Sequence, residues 1–411
     1  MSQTTLSAPA LGVRSLGRPF AFLWCNAVTF QLIATADRFT FVWLADDTLN
    51  VSSSTSGLIV FMLGLPMFLF VLPAGAIADR GRRRLQLLGS QAAGAVVTAV
   101  AAVLTATDAM TVPSAILIAF AFGLVLAFAF PVRSSLLPLI VGRERLMTAI
   151  PVMTVGANIA MIVGPVIAGV AINRWGVTGA FVVQCVLFLL SGAFVLRLAV
   201  PEVIAPQRRH LATEIREGVS YIRHHSILRT LLVLMAIGGG CMMGPGFLLI
   251  PQVAKRVFGR DAAAASALFG VMGLGMMTMS FLLLRFRSHI RRRGVMFMSC
   301  MLVGSSTSVA MSVAPSYVSL VGMMFVWGLS GGVWANVSQS LLQENTDPAM
   351  LGRVMSLSGL MHTGVAPLAA LLAGAVASRF GVQPTLGVFG AVGIVAILTV
   401  LALGNDLRNS V

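Results

Sequence analysis

Runs of roughly 20 apolar residues recur along this chain, and that is the length an α-helix needs to cross a hydrocarbon layer ~30 Å thick. They fall at 20–45, 54–78, 86–107, 111–132, 147–172 and 177–199, then at 227–250, 263–284, 294–314, 316–338, 354–378 and 384–404. Lipid offers the backbone no hydrogen-bond partners, so each run is expected to be a helix. The expected fold is therefore an all-α membrane protein with about twelve transmembrane helices. Only 10% of the residues are charged and 57% are hydrophobic. A soluble protein carries about 25% charged residues, so a water-soluble enzyme of this size is excluded. The first run is too long for a signal-peptide core, and no small-residue cleavage site follows it.

The net charge of +15 points to loop sidedness rather than to nucleic acid. With a cytoplasmic N-terminus, the inner segments collect Arg14, Arg18, Arg80, Arg82, Arg83, Arg84, Arg133, Arg143, Arg145, Arg208, Arg209, Arg216 and Arg223. Arg285, Arg287, Arg291, Arg292, Arg293, Arg353 and Arg408 continue the series. The outer segments hold Arg174, Lys255, Arg256, Arg260 and Arg379, together with Asp46, Asp47 and Asp108. Both termini are expected on the cytoplasmic side.

The longest polar stretch divides the chain into a bundle at 1–199, a linker at 200–226 and a second bundle at 227–411. Within the linker, Ile215, Val219 and Ile222 make one apolar stripe, so a helix lying at the cytoplasmic interface is expected there. The halves repeat one another. Gly169-Val170-Ala171-Ile172-Asn173-Arg174-Trp175-Gly176 recurs half a chain later as Gly374-Ala375-Val376-Ala377-Ser378-Arg379-Phe380-Gly381. Ser135-Leu136-Leu137 recurs at the same offset as Ser340-Leu341-Leu342. Two parallel six-helix repeats about an axis along the membrane normal are a scaffold for alternating access.

Gly75-Ala76-Ile77-Ala78-Asp79-Arg80-Gly81-Arg82-Arg83-Arg84 resembles the loop signature of the major facilitator superfamily, with Gly81 one place early and Arg82 at the usual glycine position. The resemblance implies a latch in which Gly75, Asp79, Arg80, Arg82 and Arg83 hold the two halves in the outward-open state. Asn158 to Gly169 looks like that superfamily's antiporter signature, with Gly164, Pro165 and Gly169 at its marked positions. Small residues there allow close helix packing, and the proline frees backbone carbonyls. Pro131-Val132-Arg133-Ser134-Ser135-Leu136-Leu137-Pro138 is similar to the exporter branch of the bacterial enterobactin exporter and the macrolide-efflux proteins. Drug-exporter branches usually carry an arginine within the fourth span, whereas 115–130 here holds no charge. The resemblance places the chain in a bacterial inner membrane.

Of the 13 acidic residues, only Asp37 falls clearly inside a run, beside Arg38. A charge at membrane depth costs at least ~2.5 kcal/mol on insertion scales, so such residues mark pathways. Two readings stand: Asp37 is the carboxylate that takes up and releases the coupling proton, or it forms a static pair with Arg38. His362 is the second titratable residue in a run. Gln31, Gln184, Trp327, Trp334, Asn336 and Gln339 offer polar or aromatic contacts to a substrate. Cys25, Cys185, Cys241 and Cys300 fit neither a disulfide framework nor a metal motif, and the 23 methionines, Met272 and Met276 among them, read as soft packing. No metal site is expected.

No phosphate-cradling glycine loop occurs and Lys255 is the only lysine, so the chain does not drive itself with ATP. No catalytic constellation is present, and no cofactor beyond a proton gradient is expected. The expected function is proton-coupled export of an amphipathic or apolar small molecule, drug-like or siderophore-like, by a monomer in the lipid bilayer. An importer on the same scaffold and a membrane-bound sensor or enzyme are the alternatives.

Overall fold

The computed structural model describes residues 16–80, 83–198, 211–286, 292–347, 350–359, 361 and 364–403. Among them every regular element is helical. The first half comprises α1 (Arg18–Trp43), α2 (Ser53–Arg80), α3 (Arg83–Ala106), α4 (Val112–Val141) and α5 (Leu146–Leu196). A connecting helix α6 (Leu211–His224) follows. The second half comprises α7 (Ser226–Ile237), α8 (Gly244–Arg256), α9 (Ala262–Arg285), α10 (Arg293–Met311), α11 (Tyr317–Glu344), α12 (Leu351–Gly359), α13 (Val365–Phe380) and α14 (Val382–Leu403). Ten helices among the described residues are long and apolar enough to cross a membrane.

Local chemistry sets where the rods begin and bend. Thr111 and Ser114 cap one another's backbone N–H at the start of α4, and Ser316 and Ser319 do the same for α11. The Asp261 carboxylate accepts from Ala264 N at 2.8 Å to open α9. The expected break between 172 and 177 is a sharp bend inside α5. Trp175 leaves helical geometry there, and Gly176 takes φ 67°, a left-handed value that glycine adopts without cost. In the second half, α7 and α8 form one rod joined by a π-helical segment, Gly238–Met243, rich in glycine.

The fourth run extends further than its apolar stretch suggested. α4 continues through Pro131 and Pro138 to Val141, so Arg133 lies within the helix and is 8% exposed, instead of sitting in a connecting loop. Packing around a membrane helix re-satisfies backbone groups freed by proline, which lets the rod continue. α6 docks on the second half: Glu217 pairs with Arg353 at 2.9 Å, and the Tyr221 hydroxyl donates to Asp347 Oδ2 at 3.0 Å.

The halves meet chiefly along two crossings, α2 with α13 and α5 with α9, and α1 also touches α8. Gly57 and Gly374 bring α2 and α13 together; a methyl on Gly57 would stand 2.8 Å from the Ala370 carbonyl. Gly169 faces Ser266 and the Ala262 carbonyl of α9 just as closely. The glycine that opens each copy of the sequence repeat is thus the point where its helix touches the other half.

Candidate functional site

Asp37 sits in α1 with 0% of its surface exposed, and neither carboxylate oxygen has a hydrogen-bond partner among the described residues. The helix stripe that carries it is polar. One turn on, Thr40 accepts from the Gln184 amide nitrogen at 2.9 Å. Nearer the N-terminus of α1, Asn26 donates to Ser191 Oγ at 2.7 Å and accepts from Arg133 Nε at 3.0 Å. The Arg133 guanidinium carbon also lies 3.8 Å from the Phe30 ring centroid. Arg133 thus puts an arginine in α4, beyond the uncharged stretch 115–130.

Arg38 does not pair with Asp37. Its guanidinium turns to the other half and rests 5.2 Å from the ring centroid of Phe247 on α8. The adjacent positions thus differ: Asp37 is fully buried and Arg38 reaches across the seam.

The antiporter-type segment packs against the same stretch of α1. Gly164 is buried opposite Thr35 and the Leu32 carbonyl, and the Thr35 hydroxyl donates to the Ala160 carbonyl at 3.1 Å. Pro165 is buried beside it, and Gly169 reaches the other half as described. Asn158 is exposed.

The remaining sequence-predicted residues are dispersed. Gln184 is 1% exposed and bonded to Thr40, so it belongs to the bundle interior and not to a cavity wall. Gln31 is half-buried. Trp327 is 6% exposed, Trp334 lies close to Gly238, and Asn336 is exposed with its amide donating to Ser280 and to the Gly332 carbonyl. Gln339 is exposed. Gly75, Asp79 and Arg80 close α2, with side chains outside the described set; Arg82 and His362 lie outside the described residues; Arg83 opens α3, half-buried.

Sequence reasoning missed a cluster that ties the halves at one end. Arg256 Nε donates to Asp46 Oδ1 at 2.6 Å, and its Nη1 and Nη2 donate to Ser53 Oγ and the Val51 carbonyl. Lys255 pairs with Asp47 at 2.8 Å and lies 5.5 Å from the Trp43 ring centroid. Ser53 donates to Gln252 Oε1 at 2.9 Å. Opposite charges in 46–47 and 255–256 were legible as loop residues, but nothing in sequence spacing joins positions so far apart.

The sequence model of the Major Facilitator Superfamily matches residues 23–370. The chain belongs to that superfamily. It is 24% identical to macrolide efflux protein A of Streptococcus pyogenes over 352 residues, 84% of this chain and 85% of the relative. It is 25% identical to the enterobactin exporter of Salmonella typhimurium over 365 residues, 86% of this chain and 84% of the relative. Among solved structures, a mutant form of the nucleoside transporter NupG superposes with a TM-score of 0.77 at 13% identity, covering 94% of this chain and all of that one. Fold and family make this superfamily member a multi-pass membrane transporter with efflux proteins among its relatives.

Proposed function

We propose that this protein is a proton-coupled secondary exporter that moves an amphipathic or apolar small molecule out of the cell by alternating access. The observation that carries this reading is Asp37, a fully buried carboxylate without a hydrogen-bond partner in the helix that meets the antiporter-type segment. A carboxylate so placed is costly unless it exchanges a proton or meets a charge during the cycle. Efflux activity in the relatives supports the direction of transport.

In this reading the bent α5 counts as two spans, α7–α8 as one and α12–α13 as one, giving two six-helix bundles with both termini cytoplasmic. The arginine bias puts the Asp46–Arg256 cluster on the outer face. The structure then corresponds to the form closed outside, and Asp79 and Arg80 at the end of α2 serve as the latch of the opposite form. Proton entry through Asp37 and release of the outer cluster are the two events that a transport cycle must link. The small-molecule substrate binds between the bundles, a monomer suffices, and no cofactor is needed beyond the gradient.

The test is purified protein in proteoliposomes under an imposed pH gradient. Gradient-driven movement of substrate, lost in Asp37→Asn while exchange without a gradient persists, is the expected result. Undiminished gradient-driven transport by Asp37→Asn overturns the assignment.

A further inference from the structure

The seam beside Asp37 carries a donor excess that the proton-coupling scheme does not use. Arg38 is half-buried, and the contact that holds its guanidinium is the face of Phe247. Phe247 lies parallel to Phe269, with ring centroids 5.3 Å apart, and Phe269 meets the Phe39 ring edge-on at 6.2 Å. The cation therefore sits at the rim of an aromatic platform built from both halves. An arginine has five N–H donors and no acceptor, and a ring face satisfies none of them with a directional hydrogen bond.

The carboxylate nearest in sequence, Asp37, is fully buried and forms no ion pair or hydrogen bond with Arg38 among the described residues. A guanidinium over one face of a flat apolar ring calls for a ligand that brings acceptors, negative charge and a planar apolar body. A cationic ligand would meet the like charge of Arg38.

We propose that Arg38, with the Phe247–Phe269 platform, is the recognition site for the acidic group of an amphipathic, ring-bearing acid, so that the exported substrates are anions rather than cations. This rests on the transporter reading above and narrows its substrate class. The guanidinium grips the acid group, and Phe247, the half-buried ring of the pair, takes the apolar body. Arg38 is then a specificity residue, while Asp37 remains the proton-carrying group.

The test measures binding without any gradient, so it stands apart from the transport assay. Full-length protein in nanodiscs is dialysed to equilibrium against three probes of matched shape: 2-naphthoate, 2-naphthamide and 2-naphthylmethylammonium. The wild type is expected to hold naphthoate about tenfold more tightly than the amide, the amount a charge-assisted hydrogen bond supplies, and to bind the ammonium probe least. Arg38→Gln should bring the acid to the level of the amide with an unchanged gel-filtration profile, and Arg38→Lys should keep part of the preference. Phe247→Leu should weaken all three. Equal binding of acid and amide by the wild type, preference for the ammonium probe, no binding of the acid, or an acid preference that survives Arg38→Gln each overturns the proposal. Loss of gradient-driven transport with the acid preference intact would instead count against the coupling scheme alone.

Discussion

Asp46, just beyond the end of α1, and Arg256, the last residue of α8, form an ion pair that joins the first half of the chain to the second. The Asp46 side chain is 3% exposed and that of Arg256 is 36% exposed, so the carboxylate is the desolvated partner. Removing Arg256 leaves it only the more distant Lys255, 3.7 Å from Asp46 Oδ2, whereas removing Asp46 returns Arg256 to water. Arg256→Gln should therefore open this end more than Asp46→Asn does, with a shift of about tenfold or more in the open-to-closed ratio. Spin-label distances across the two bundle ends measure it; unchanged distance distributions in Arg256→Gln would refute a gating role.

Salt should act on the same cluster. Lys255, Asp47 and Arg256 are partly exposed, so their pairing is screened at high ionic strength, while the apolar crossings are not. Raising ionic strength from about 0.05 M to 1 M should increase thiol labelling of a cysteine placed at Ser53, and Arg256→Gln should shrink that salt response. A response of equal size in the variant would place its origin elsewhere.

At the crossing of α2 and α13, a side chain on Gly374 meets the Ser53 backbone. Gly374→Val should push the helices apart and destabilise the closed end by about 1–3 kcal/mol, a typical overpacking cost. The readout is increased labelling at the end that holds Asp46 and Arg256, with the opposite end more protected. Gly322→Val, at a position with open space around it, is the control expected to leave labelling unchanged.

Asn26 ties three helices through one amide group. It accepts from Arg133 on α4 and donates to Ser191 on α5. Asn26→Leu strands the Arg133 Nε–H and should lower stability by about 1–3 kcal/mol, visible as a lower thermal midpoint in detergent. Asn26→Asp keeps an acceptor for Arg133 and should recover most of that loss; equal midpoints for Leu and Asp would show that the bond contributes nothing.

The helices were legible because lipid permits little else: a long apolar run must satisfy its backbone internally. The ends were less so. Pro131 and Pro138 resemble stop signals, and they hid the fact that α4 carries Arg133 into the bundle. Trp175-Gly176 was readable as a break, since a left-handed glycine after an aromatic residue marks a bend in each copy of the repeat; Gly381 has φ 88° at the matching place. Gln184 shows the limit of residue type as a guide. A glutamine in an apolar run serves equally as a cavity contact or an internal tie, and only the position of Thr40 decides between them. The separate directions of Asp37 and Arg38 depend on which helices pack on each face of α1, and a single sequence does not carry that.

The glycine-rich Gly238–Met243 segment joins α7 to the part of its rod that ends at Lys255 and Arg256. It falls, by the offset that carries Gly169 onto Gly374, at the place where the first half has Ile33 to Arg38. One rod thus carries the charged residues Asp37 and Arg38 at this depth, and the other carries a soft joint with few bulky side chains to resist flexing. Tilting at that joint lifts two cations away from Asp46 and Asp47 while most of the second bundle stays still. The door can therefore unlatch at one corner before the walls move.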